Sequence, residues 1–282
     1  MCPLRLGTTS YIIESGLADN LLWLARRPGA LRVGEMQLVL FDTPEISNIP
    51  SPEEIALMTS IAADYDMAFT VHLPCDISLG DADPSIRKTS AEMFARVVGV
   101  TSKLKPICWV LHIPLPDKKE TDEYLDRTGE TLASLIGGLG SPRELAIENI
   151  RPVFDAESSI IEEFDTSVCI DAGHLVFFDL DVWGFLDRWL PRCRNMHLHG
   201  CVGKRDHGSL TCLPRKFLEK LFTRVSDAPC FQTVTMEVFG VSDFESSMEA
   251  LNSARLRKFF IRRYSSNPMR ARACCAGRGV RL

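Results

Sequence analysis

Six histidines, His72, His112, His174, His197, His199 and His207, each fall at or just beyond the end of a short apolar run. The same positions collect acids: Glu148 ends "LAIE", Asp171 ends "SVCID", Glu237 follows "TVTM", and Asp206 stands beside His207. Imidazole nitrogen and carboxylate oxygen are the ligand types of zinc, manganese and iron, and crowded carboxylates repel unless a cation neutralises them. With no cysteine in the set, the pattern fits an open catalytic site better than a closed structural one. One catalytic zinc needs three protein ligands and a water, so ten candidates suffice for two or three divalent ions sharing carboxylates. Zinc ranks first, with manganese or iron as alternatives, and clustered ions are the usual apparatus for breaking phosphate esters. Taken singly, a histidine at a strand end is more often a hydrogen-bonded core or surface residue, and it is the set that shifts the balance. His199, two residues from His197 on one strand, reads as a support or substrate contact, and His174 could simply be a ring bonded to Asp171.

Such residues must be positioned by something that brings distant strand ends together. Eight runs, "LRLGTTS", "MQLVLF", "AFTVHLP", "ICWVLHIP", "LAIEN", "SVCIDAGH", "NMHLHG" and "TVTMEVF", are continuous enough in apolar residues to be strands buried on both faces. Helical periods lie between them, with start signals at Ser51-Pro52 and Asp83-Pro84. The alternation predicts a single α/β domain, a (β/α)8 TIM barrel over residues 1–262, closed by a helix in "DFESSMEALNSARLRKFF" and followed by a basic, disordered tail over 263–282. An open doubly wound sheet is disfavoured because no glycine-rich phosphate loop follows the first strand. In a barrel all carboxyl ends converge on one mouth. Strand ends and their loops make up about a fifth of such a chain, so six of six histidines landing there by chance is on the order of 10⁻⁴.

The net charge of −5 hides an asymmetry. Nine basic residues and no acid lie from Ala254 to Leu282, which leaves the preceding body at −14. An acidic body is a poor platform for nucleic acid, whose affinity rests on phosphate neutralisation. No apolar run reaches the ~20 residues of a membrane span, and the start of the chain lacks a signal-peptide pattern, so a cytoplasmic protein with no membrane partner is expected. The ten cysteines are scattered without a CxxC pair and read as reduced thiols, with nothing in the spacing that pairs one with a base. Tyr11, Asp76 and Arg87 are candidate substrate contacts by position only.

The motifs "TVHLP", "VLHIP", "AIEN", "CIDAGH", "MHLH", "RDHGSL" and "TMEVF" resemble, in order, the strand-end motifs of xylose isomerase-like barrels, specifically the endonuclease IV branch. The resemblance covers roughly residues 4 to 250 and implies a multinuclear, usually zinc, centre that cleaves phosphodiesters. Carried over residue by residue, it implies ligands at His72, His112, Glu148, Asp171, His174, His197, His207 and Glu237. Asp206 would be the acid accompanying the late histidine, although the family spaces that pair by one residue and here the two are adjacent. By the same analogy Glu148 would bridge two ions, with Asp171 and Glu237 orienting the attacking water. "RLGTTSYIIE", "LVLFDTPEISNIPSPEEI", "FTVHLPCDISLGD" and "LHGCVGKRDHGSL" are similar to the cobamide-remodelling phosphodiesterases of the CbiR type. That similarity implies hydrolysis of the phosphoester in the nucleotide loop of a small-molecule corrinoid. Two alternatives stay open: a sugar isomerase or 3-epimerase using one ion on Glu148, Asp171, His197 and Glu237, and a non-catalytic corrinoid- or metal-binding protein.

Overall fold

The computed structural model describes residues 4–260 except 44, 117–119, 153, 229–230 and 232. Its strands are β1 (Arg5–Thr9), β2 (Glu35–Val39), β3 (Ala68–His72), β4 (Trp109–Leu111), β5 (Leu145–Glu148), β6 (Ser167–Asp171), β7 (Cys193–Leu198), β8 (Gly200–Val202), β9 (Arg205–Gly208) and β10 (Thr233–Met236). The helices are α1 (Leu17–Ala25), α2 (Pro52–Tyr65), α3 (Pro84–Thr101), α4 (Thr121–Leu135), α5 (Ser158–Glu163), α6 (Ala172–Phe177), α7 (Val182–Trp189), α8 (Arg215–Ser226), α9 (Val241–Leu251) and α10 (Ala254–Arg257). All strands except β8 and β9 pair in parallel in a closed ring, β1-β10-β7-β6-β5-β4-β3-β2, so the expected (β/α)8 barrel is the observed fold. The start signals act as read: Ser51 accepts from the Glu54 N–H at α2, and Asp83 accepts from the Ser85 N–H at α3.

Two departures bear on the site. The loop after β7 is an antiparallel hairpin, β8–β9, turning at Gly203 with φ +60°. The closing helix is two pieces, α9 and α10, after which Phe259 and Phe260 are buried and the Phe259 carbonyl accepts from the Leu4 N–H at 2.9 Å. The expected boundary at 262 and the tail over 263–282 lie outside the described residues.

Successive strand residues point to opposite faces. Outward positions such as Met36, Leu38, Phe69, Val71, Trp109, Leu111, Ile147 and Ile170 join helix residues such as Leu21, Met58, Phe94, Phe222 and Phe244 in the main core. Cys108, Val110, Ala146 and Cys169 form a separate small cluster. Other inward positions, among them Glu35, Gln37, Thr70, Asn195 and Thr235, are polar and buried. Glu35 is fully buried and accepts from the Thr70 hydroxyl at 2.6 Å and the Thr235 hydroxyl at 3.0 Å. A Cβ on Gly7 would collide with the Glu35 carboxylate, so the glycine in β1 makes room for this acid. Inward positions thus run from a polar floor at Glu35 to the imidazoles and carboxylates at the mouth.

Candidate metal centre

The period of two places His72 at the end of β3, Glu148 at the end of β5, Asp171 at the end of β6 and His197 inside β7, with His112 just past β4 and Glu237 just past β10. Two histidines arrive by other routes. Asp171 caps α6 by accepting the His174 N–H at 2.8 Å, which puts His174 in the first turn of a helix and corrects the expectation that every histidine sits on a strand or loop. His207 lies in β9 with φ 52°, so the hairpin, and not an irregular loop, delivers it.

These side chains form linked groups whose ligand atoms all lie within 4.8 Å of one another: Glu148, Asp171, His197 and Glu237; Asp171, His174, His199 and His207; and His72, Cys75 and His112. Glu148 joins the first group to the third through separate oxygens. Its Oε1 is 3.0 Å from His197 Nδ1, while its Oε2 is 3.2 Å from His112 Nε2 and 3.4 Å from His72 Nε2. Asp171 belongs to the first and second groups together, its Oδ2 being 3.0 Å from His174 Nδ1. Glu237 Oε2 lies 3.1 Å from His197 Nδ1 and 3.5 Å from His207 Nε2.

Hydrogen bonds from the far side of each ring decide which nitrogen faces the centre. The His72 Nδ1–H donates to the Leu73 carbonyl at 2.8 Å, leaving Nε2 with its lone pair. His197 Nε2 is 2.8 Å from the Gln37 side-chain amide nitrogen, and Gln37 Oε1 is buried without a hydrogen-bond partner. A half-turn of that amide gives Oε1 the ring N–H and leaves Nδ1 as the lone-pair atom toward Glu148 and Glu237. Gln37 carried no signal in the sequence, where it sits inside an apolar run. His199 Nδ1 accepts the His207 N–H at 3.1 Å, so its Nε2–H faces Asp171 Oδ1 at 3.3 Å. His199 therefore supports Asp171.

Burial pushes Glu148 up, but His197 and His112 outweigh it and hold the acid well below the usual range. Burial likewise raises Asp171, and His199 and His174 bring it down to about 2. Glu237 is raised by burial and lowered further by His197 and His207. Three buried anions at one mouth need compensating cations. Asp171 Oδ2, His174 Nδ1 and Glu237 Oε2 are buried atoms that approach other polar atoms closely yet make no hydrogen bond. Atoms that crowd a common point without aiming at each other are placed as metal ligands are, and the residues fit divalent cations.

Asp206 stands apart. It is half-exposed, its Oδ1 lies 3.1 Å from His207 Nδ1, and it belongs to none of the ligand groups. The Arg87 guanidinium is taken up by the carbonyls of Asp81 and Ala82, and Tyr11 accepts from Asn48 at the rim. The spacing of the chain puts no base beside Cys75, but the turn after β3 brings this thiol to His72 and His112. Burial pushes the thiol up, and the two imidazoles outweigh that and bring it to about 6. Among the described residues Cys75, Cys108, Cys169, Cys193, Cys201 and Cys212 are free. Among the described residues no helix is long and apolar enough to cross a membrane.

No family model and no curated protein matches the chain. Solved structures do. A D-tagatose 3-epimerase-like protein superposes with a TM-score of 0.68 at 18% identity, covering 88% of this chain and 96% of its own. Endonuclease IV from Thermus thermophilus gives 0.65 at 18% identity over 90% and 98%. The apo form of 3-keto-D-glucoside 4-epimerase from E. coli gives 0.66 at 12% identity over 90% and 99%. At these identities the likeness shows the barrel fold.

Proposed function

We propose that this chain is a metal-dependent phosphodiesterase that hydrolyses the phosphoester of the nucleotide loop of a cobamide. The observation that carries the reading is Glu148, whose two oxygens face different sets of imidazoles, His197 on one side and His72 with His112 on the other. A carboxylate so placed would serve two ions, and Asp171 extends the arrangement to His174 and His207, so the residues would suit two or three zinc ions. Bound there, the ions would supply Lewis acidity toward the phosphoryl oxygens and make water a stronger acid.

The chain's own residues divide the remaining work. Glu148 and Asp171, both fully buried, would hold the centre together. Glu237, 3.5 Å from His207 Nε2, is the most exposed of the three carboxylates in the four-ligand group and would orient the attacking water. Hydrolysis consumes one water, breaks one P–O ester bond and leaves the phosphate on one of the two products. Tyr11, Phe239 and Val241 are exposed, Phe239 lies 5.7 Å from the His207 ring, and the Gly240 N–H bonds the Tyr11 carbonyl. An apolar rim of this kind suits the broad face of a corrinoid better than a sugar. The acidic body likewise supports a small-molecule substrate over nucleic acid, and the free thiols support a cytoplasmic setting.

A second reading rests on its own observation. Glu148, Asp171, His197 and Glu237 form a complete four-ligand group, which is all that a one-ion sugar epimerase on this barrel would use. Metal content by plasma mass spectrometry, paired with turnover of adenosylcobalamin and of free ketoses, separates the two. Two or three equivalents with release of a dephosphorylated or phosphorylated corrinoid fragment supports the phosphodiesterase. One equivalent with exchange of a ketose α-proton and no corrinoid product overturns it in favour of the epimerase. Glu148→Ala should lose both metal and hydrolysis, and an active, fully loaded variant would remove the bridging role.

A further inference from the structure

Of the cluster formed by His72, Cys75 and His112, Cys75 alone lies beyond the ligand set that the imidazole and carboxylate pattern assigned. We infer that the Cys75 thiolate is a protein ligand of the ion held by His72, His112 and Glu148, an inference that rests on the multinuclear reading above. The sequence "HLPC" builds this geometry. Leu73 continues the strand by donating its N–H to the Val110 carbonyl at 2.9 Å, and Pro74 then fixes its own φ and starts a turn closed by the Ile77 N–H donating to the Pro74 carbonyl at 3.2 Å. Ile77 is buried and anchors that turn, with Cys75 at its corner. The chain so doubles back that Cys75 Sγ lies within 4.8 Å of ligand nitrogens of both His72 and His112. The His72 ring is locked by its bond to the Leu73 carbonyl, so its Nε2 is committed to the same point. Glu148 Oε2 reaches both imidazoles from inside the barrel, and the thiol reaches them from the rim.

His72, His112 and Cys75 would supply two nitrogens and a sulfur, with Glu148 Oε2 at 3.4 and 3.2 Å from the same two imidazoles, a donor set of the kind that zinc takes. A thiolate in it selects among metals, favouring zinc or cobalt over manganese and magnesium, which prefer oxygen donors. Of the other three groups, two hold only carboxylate and imidazole, and in the remaining one burial pushes the Cys169 thiol well up, which keeps it from acting as a thiolate. The site of His72, Cys75 and His112 is therefore the one that sets metal identity, and Cys75 is the residue that sets it.

The test uses the full chain loaded with Co(II) and read by absorption. Thiolate coordination gives an intense near-ultraviolet charge-transfer band that nitrogen and oxygen ligands do not. The band is expected in the wild type, absent in Cys75→Ser and retained in Cys201→Ser. X-ray absorption of the zinc form should show a sulfur scatterer at about 2.3 Å that the Cys75→Ser protein lacks. Zinc should also protect Cys75 from iodoacetamide, read by peptide mass. A wild type with no band, or a band that survives Cys75→Ser, overturns the inference. That failure leaves the phosphodiesterase reading standing, because the remaining ligands still hold their ions. Conversely, a Cys75-dependent band in a protein that turns over no cobamide sinks the substrate while keeping the ligand.

Discussion

Glu35 allows the polar floor of the barrel to be weighed. It is fully buried, and although Thr70 and Thr235 donate to it, desolvation dominates and lifts its pKa from 4.5 to about 7. The folded state thus binds this proton more tightly than the unfolded chain. The stability carried by neutral Glu35 is fully present below about pH 4.5 and is lost as pH rises through about 7. At about 1.4 kcal/mol per pKa unit the loss totals about 3 kcal/mol, most of it between pH 5 and 8. Glu35→Gln replaces the acid by an amide that mimics its neutral form. Thr235 can then accept from the new amide group while donating to Asn195 Oδ1, already 3.0 Å away. Urea unfolding at fixed metal loading, at several pH values from 5 to 8, should show the wild type losing roughly 2 to 3 kcal/mol more than the variant across that range. Equal slopes for the two proteins would refute the neutral buried acid, and a variant that is less stable at every pH would show that the carboxylate is held as an anion.

Three further perturbations address the mouth. Gln37→Met removes the amide that fixes the His197 tautomer and should weaken metal binding about 10- to 100-fold with the fold intact, as read by competition with a chelator; unchanged affinity would leave Gln37 without a positioning role. His174→Ala leaves the four-ligand group whole but strips the group it shares with His207, so metal content should fall by about one equivalent and phosphodiester hydrolysis with it, whereas a one-ion epimerase would keep its turnover. Gly173→Ala places a methyl group against the His199 ring, displacing the imidazole that supports Asp171; thermal unfolding should report a cost of about 1–3 kcal/mol, and an unaltered melting temperature would mean the ring moves freely.

The barrel was legible because its outward strand faces are nearly continuous in apolar residues, and the capping pairs Ser51-Pro52 and Asp83-Pro84 mark where helices begin. The histidines were legible as a set, because six of them at strand ends together with three or four acids is a pattern that single hydrogen-bonded rings do not make. What stayed hidden lies on the inward face. Glu35 and Gln37 alternate with Met36 and Leu38, and a reading that looks for apolar runs registers the outward pair and passes over the inward one. The β8–β9 hairpin did leave a signal in "VGKR", where Gly203 at a corner position with positive φ sets a tight two-residue turn. Cys75 left none, since its approach to His112 depends on strand pairing and not on the spacing of residues along the chain.

The same geometry bears on the choice between the two proposed chemistries. The strand ends supply Glu148, Asp171, His197 and Glu237 as one compact set, with His72 and His112 beside it at the ends of β3 and β4. More ions require carboxylates with oxygens left over and ligands arriving from outside the strand layer. Glu148 meets the first need by turning Oε2 to His72 and His112 while Oε1 serves His197. The second need is met by elements that a minimal barrel does not require: the helix capped by Asp171, which returns His174, the hairpin, which returns His207, and the Pro74 turn, which returns Cys75. A one-ion enzyme would gain nothing from any of the three. Their joint presence, each built by its own local device, is what favours the proposed multi-ion centre over the one-ion reading.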